Sequence, residues 1–269
     1  MADSVDVELL HIKGAALDPT LADPRRAGTD ADVLVRPHHI PTFVRTLQRH
    51  GWQVHSRFET GSPFGHAVTL AHPTWGYADV HRRFPGITRP DDEAFDRLWR
   101  DRGSRTISGV DCDVPGLVAQ RLILVLNSAR GASHRTADLD AAWTSASTSE
   151  RGEVRALVGA LGAEVAFAAG IGELEHYRGR RDYDLWRITA EGGASRTAEW
   201  LARLRAAPST RARLRLALRA PLVNTDHLAV QLRRTPNRRE VARAFLRRVR
   251  RAGDEVWSAT RACGSRDHR

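Results

Sequence analysis

Lysine is almost missing from this chain: of 42 basic residues, 41 are arginine and one, Lys13, is lysine. Abundant alanine beside this depletion marks a coding bias, which weakens the usual reading of the net charge of +10. Arginines spread over solvated helix faces attract polyanions without forming a specific site. Cysteine is equally scarce. Cys112 and Cys263 stand far apart with no CxxC pair, which excludes a disulfide framework and a cysteine-built zinc site and fits an intracellular compartment. Long apolar runs are lacking too. The longest, residues 156–172, carries Glu164 and several glycines, falls short of a membrane span and reads as one or two buried helices. The acidic start MADSVDVELL has no basic-then-apolar signal layout. The expectation is a soluble, cytoplasmic chain with no membrane partner.

What is present suffices for a real core: 269 residues, 41% of them hydrophobic. Residues 7–12 and 32–35 are short apolar runs that read as buried strands. Ile40, Phe43, Val44 and Leu47 follow the i, i+3, i+4, i+7 pattern of an amphipathic helix, closed by Gly51. Residues 66–84 read as two strands around a turn at 73–76, and residues 90–103 as a short helix with acids in its first turn. From about residue 114 the pattern turns helical, clearest at 115–130, 149–165, 195–207 and 237–253, the last with a capping-box start at Asn237 and Glu240. In that last helix Val241, Ala244, Phe245 and Val249 make an apolar stripe expected to lie on a core. Residues 144–150 read as an exposed connection. The outline is α+β, with a mixed N-terminal unit at 1–108 and a helical unit at 109–269.

Asp30 and Asp32 stand two apart at the entrance to a strand, and strand alternation sends both to one face. Two such carboxylates can hold divalent cations, which in turn hold a triphosphate. The spacing alone is weak, because 32 acids in 269 positions give about four acid-x-acid pairs by chance. Asp111/Asp113, Asp138/Asp140 and Asp182/Asp184 are others, the first and last of them expected on loop and helix surfaces. Context distinguishes the first pair. Gly14 follows an apolar strand upstream, where the backbone could approach a phosphate; Arg26 is placed to reach phosphate oxygens; Asp79 sits in a later strand-like run and could supply a third carboxylate.

The pieces KGAAL (13–17), Arg26, DADVLVRP (30–37), LQRHGW (47–52) and ADVHRRF (78–84) together resemble bacterial nucleotidyltransferase-fold proteins with a Lys-Gly motif. These form a branch of the polymerase-beta-like nucleotidyltransferase superfamily. The resemblance covers residues 7–84 and, more loosely, the helical remainder. It implies a mixed β-sheet flanked by helices and followed by a helical C-terminal region. It implies that Lys13, Gly14 and Arg26 bind nucleotide phosphates, and that Asp30, Asp32 and Asp79 are catalytic and hold two Mg²⁺ ions. His81 is a neighbour whose plainer reading is a strand histidine hydrogen-bonded nearby. The reaction implied is transfer of a nucleoside monophosphate from an NTP, ATP foremost, to an acceptor with release of pyrophosphate. One departure is the helix at 117–130, which carries Arg121 and Asn127 where histidines are expected.

Three classes of function stay open on the sequence. The first is the Mg²⁺-dependent nucleotidyltransferase, its acceptor a small hydroxylated metabolite, a peptide or protein side chain, or an RNA end. The second is a non-catalytic nucleotide- or RNA-binding protein that keeps the fold, with RNA met by the Arg-rich C-terminal helices. The third is an antitoxin or scaffold acting through its helical half.

Overall fold

Five strands build one sheet in the order β1-β2-β5-β4-β3: β1 (Leu9–His11), β2 (Asp30–Val35), β3 (Gln53–Ser56), β4 (Ala67–His72) and β5 (Gly76–His81). The central pair β2 and β5 is parallel, and the β1–β2, β4–β5 and β3–β4 pairs are antiparallel. The structure, a computed structural model, describes residues 1–22, 30–58, 64–131, 135–220, 222, 223, 225, 228, 232 and 234–264.

Alternation gives the sheet two buried faces. Val33, Val35, Val68, Leu70 and Val80 point to one side and meet Ile40, Phe43 and Leu47 of α1 (Ile40–Arg49). Leu10, Ile12 and Leu34 point to the other and meet Phe95 and Leu98 of α2 (Asp91–Arg100) and the apolar body of α3 (Leu117–Ser128). In α3 the side chains of Leu122, Ile123, Val125 and Leu126 are wholly inaccessible. A helix apolar on nearly every side must be covered all round, and α5 (Thr148–Leu161), α6 (Glu164–Ile171) and α7 (Tyr183–Glu191) contribute to that cover through Val154, Leu161, Phe167 and Trp186. Residue 108 lies in the turn of a hairpin, β6 (Gly103–Ile107) with β7 (Val110–Val114), and the larger apolar cluster draws on both sides of it.

A five-residue helix, α4 (Arg135–Leu139), runs into a π-helical turn at Asp140–Thr144. The buried Arg121 donates to the carbonyls of Ala141 (3.0 Å) and Ala142 (3.2 Å) there and to Glu150 (2.6 Å), the residue that closes the capping box of α5 with Ser147. Arg121 thus joins helices, at a place where the motif resemblance led to the expectation of histidines in this helix. The chain continues through α8 (Arg196–Ala206), α9 (Thr210–Arg219) and α10 (Arg238–Gly264). The capping box at Asn237 and Glu240 is formed.

Three expectations need correction. The run at 103–114 is a hairpin, so Asp111 and Asp113 lie on a strand, with Asp111 accepting from Thr106; the strand is only five residues long and runs from exposed Val110 to buried Val114. The span 149–165 breaks at Gly162 into α5 and α6. The stripe on α10 is only partly covered among the described residues: Val241 and Ala244 are half-buried, while Phe245 is 37% and Val249 48% exposed.

Candidate active site

Parallel pairing of β2 with β5 sets Asp32 directly beside Asp79, Asp30 beside Tyr77 and Leu34 beside His81. Period-two alternation then puts Asp30, Asp32, Asp79 and His81 on one face of the sheet. Deeper along that face Leu34 is covered by helices; Asp32, 8% exposed, lies at the margin of that cover, and Asp30 is exposed beyond it. Thr69, opposite Asp79 on β4, donates to Asp79 Oδ1 at 2.6 Å.

Lys13 reaches the same place from the turn after β1. Gly14 takes the left-handed region (φ +59°), with open space where a Cβ would stand, and starts a single 3₁₀ turn at Gly14–Ala16. Two side chains pin this turn. Arg105 on β6 donates to the Ala15 carbonyl at 2.9 Å. The buried Gln120 on α3 accepts from the Asp18 amide at 2.7 Å and donates to the Pro115 carbonyl at 2.7 Å. Lys13 Nζ lies 2.7 Å from Asp32 Oδ1.

His81, 1% exposed, places Nε2 2.8 Å from that same oxygen. Burial holds its pKa below the usual histidine value, so a neutral ring with hydrogen on Nε2 donates to Asp32 and fixes its rotamer. Nδ1 is buried with no hydrogen-bond partner among the described residues. Behind His81 stands His66, ring centroids 5.0 Å apart, its pKa pushed down to about 2 by burial first and then by His81, Arg130 and Lys13.

Burial acts most strongly on Asp32 and would raise its pKa, yet the His81 hydrogen bond and Lys13 outweigh it and hold the group below the usual carboxylate value. Asp30 goes the other way. Burial, then the charge of Asp32, and further the charge of Asp79 lift it, against the pull of Lys13. Three carboxylates therefore share one face with a single lysine between them, an excess of negative charge suited to cations. Asp32, Asp79 and His81 each offer a ligand atom, all within 4.8 Å of one another. The carboxylate oxygens suit a hard divalent ion, and the imidazole nitrogen also admits softer metals.

The fold thus brings together Lys13, Gly14, Asp30, Asp32, Asp79 and His81, while Arg26 lies outside the described residues. Sequence reading missed Thr69 and gave His66 no role. Register on β4 could have signalled Thr69 once its partner strand was known; His66 has no metal-ligand spacing in the sequence to mark it.

No family model matches the chain, and no curated protein matches it. Among solved structures it is similar to the lincosamide antibiotic adenylyltransferase LnuA in its lincomycin-bound form, at 16% identity over 58% of this chain and 89% of that one, TM-score 0.34. It is also similar to an antigenic nucleotidyltransferase-like protein from Paracoccidioides brasiliensis, at 16% identity over 66% and 84%, TM-score 0.32. Likeness this loose carries no argument about activity.

Proposed function

We propose that this chain is a divalent-metal-dependent nucleotidyltransferase that moves a nucleoside monophosphate from an NTP to an acceptor hydroxyl. The observation that carries the reading is the in-register pair Asp32 and Asp79 on parallel β2 and β5, with Asp30 on the same face and Lys13 against Asp32. The motif resemblance along residues 7–84 supports it. Asp30, Asp32 and Asp79 would hold Mg²⁺, two ions in the full site, and the bound metal would supply charge neutralisation of the triphosphate and of the departing pyrophosphate.

The chain's own groups do the rest by positioning and electrostatics. His81 orients Asp32, and Thr69 donates to one oxygen of Asp79. Lys13, on a turn locked by Arg105 and Gln120, presents an ammonium to the phosphates beside the open backbone of Gly14. In the transfer, the acceptor oxygen bonds to the α-phosphorus as the bond from that phosphorus to the β-bridging oxygen breaks. The electron pair leaves on pyrophosphate, and the acceptor proton passes to Asp79. A small hydroxylated metabolite, a peptide or protein side chain, and an RNA end are the acceptor classes, with ATP the first donor to test.

Incubating the full chain with labelled NTPs, Mg²⁺ and a cell extract tests this, with mass spectrometry seeking an added nucleoside monophosphate. Asp32→Ala should lower transfer at least about 10²-fold, and unchanged transfer in Asp30→Ala and Asp32→Ala would sink the assignment. A second reading, nucleotide binding without turnover, is favoured by one observation: Lys13 already neutralises Asp32 as a cation would. Nucleotide affinity independent of divalent ions, with no transfer across a broad acceptor panel, would decide for it.

A further inference from the structure

Helix α9 turns an apolar stripe outward. Its inner side is set by Ala212 and Leu216, both half-buried, and by Arg213, which donates to the Leu204 carbonyl of α8 at 3.1 Å. A helix repeats about every 3.6 residues, so Leu214 and Leu218 stand on the side turned away from Ala212 and Leu216. They are 61% and 66% exposed, and Leu222, just beyond the helix, is 57% exposed. Arg215 and Arg219 each follow one of these leucines, Arg211 stands a turn before, and α9 contains no acidic residue.

The stripe continues past α9. Arg248 on α10 donates to the Leu222 carbonyl. Phe245, Arg248 and Val249 share one side of α10 at i, i+3 and i+4, so the partly covered stripe of that helix adjoins Leu222. Leu246, next to Phe245 in the chain, is 60% exposed. Two helices thus present large apolar side chains to water among arginines. A single exposed leucine is ordinary on any protein surface, whereas a stripe carried across two elements marks a place of contact.

Leucine gains by leaving water, and arginine gains beside an anion. RNA offers phosphates but no apolar medium at the level of the leucines. A second copy of the chain offers leucines but sets its own arginines against these. The boundary of an anionic bilayer offers both in one plane, with acyl chains just beneath phosphate head groups. Among the described residues no helix is long and apolar enough to cross a membrane. The expectation of no membrane partner rested on the lack of such a run, which a helix lying in the interface does not need.

We infer that α9, with the adjoining stripe of α10, docks the protein on an anionic lipid surface. Leu214, Leu218 and Leu222 enter the head-group boundary, and the arginines meet lipid phosphates. No residue of the acid face takes part, so this docking stands apart from the nucleotidyltransferase reading.

Flotation of the full chain with vesicles tests this, using phosphatidylcholine alone and an equimolar mixture of phosphatidylcholine and phosphatidylglycerol. Wild type should float with the mixed vesicles and not with phosphatidylcholine, and added NaCl should weaken the binding. Leu214→Ser combined with Leu218→Ser should weaken it at least about ten-fold. Arg211→Gln combined with Arg215→Gln should do the same, and it carries the test if the leucine variant does not fold. Val110→Ser removes a comparably exposed apolar side chain from β7, 57% exposed, and should bind as wild type does. Wild type that binds no mixed vesicle, or binding that survives the leucine substitutions unchanged, would overturn the inference. So would capture of polyuridylic acid without vesicle binding, or a dimer in sedimentation that the leucine substitutions dissolve without vesicle binding.

Discussion

One oxygen of Asp32 receives both the Lys13 ammonium at 2.7 Å and His81 Nε2 at 2.8 Å. These contacts overcome burial and keep the group ionised. His66, one ring further back, shows the cost of packing imidazoles beside such a site. Its pKa is pushed down to about 2, burial being the main cause, whereas a histidine in the unfolded chain titrates near 6.5. The native ring stays neutral while the unfolded ring takes a proton. The stability contributed by the neutral ring is therefore intact above about pH 6.5 and falls as the pH drops, at about 1.4 kcal/mol per pH unit from this residue. Urea midpoints between pH 7.5 and 4.5 should move to lower urea accordingly, and His66→Gln should flatten the slope by about one proton; an equal slope in both proteins would refute it.

At the scale of elements, α3 decides how closely the helical half can approach. Gly170 of α6 lies so near α3 that an added Cβ would stand 2.6 Å from the Val125 carbonyl oxygen and 2.8 Å from Val125 Cγ1. Backbone cannot yield there as a flexible side chain would, so Gly170→Ala should destabilise by about 1–3 kcal/mol. Gly159 on α5 is the control: nothing lies within 4 Å of its Cβ position, and alanine there should stabilise by roughly 0.5–1 kcal/mol through helix propensity. Denaturant unfolding of the two variants should give shifts of opposite sign. Arg121 is the other joint, coupling α3 to the π-turn and to the capping residue of α5.

At the scale of the molecule, the acid face sits where the sheet leaves the cover of the helices, so ligand binding there belongs to the folded state alone. Mg²⁺ with ATP at 100 times its Kd should stabilise by about 2.7 kcal/mol. In a chain of this size that corresponds to roughly 5–10 °C in Tm, read by calorimetric scanning with and without EDTA; no shift at saturating nucleotide would count against the proposed function. On α9, Leu214 and Leu218 are 61% and 66% exposed, among Arg211, Arg213, Arg215 and Arg219.

The sequence by itself determined the local elements around the site, because each has a short-range physical signature. A short apolar run marked β2, a turn between two strand-like runs marked the β4–β5 hairpin, helical spacing marked α1, and the capping box marked the start of α10. It also made Lys13 conspicuous, since coding bias explains the arginines and leaves one lysine unexplained. Only tertiary structure decided which residues meet. Asp32 and Asp79 are 47 positions apart in sequence, and the parallel register of β2 with β5 alone puts them side by side. The same register turns His81 from a strand histidine into the residue that fixes Asp32. Thr69 enters by way of the neighbouring strand β4, as a common residue type with no local mark. The stripe on α10 is only partly covered for the matching reason: a 3.6-residue period says that a helix has an apolar side but cannot say how much of it another surface covers.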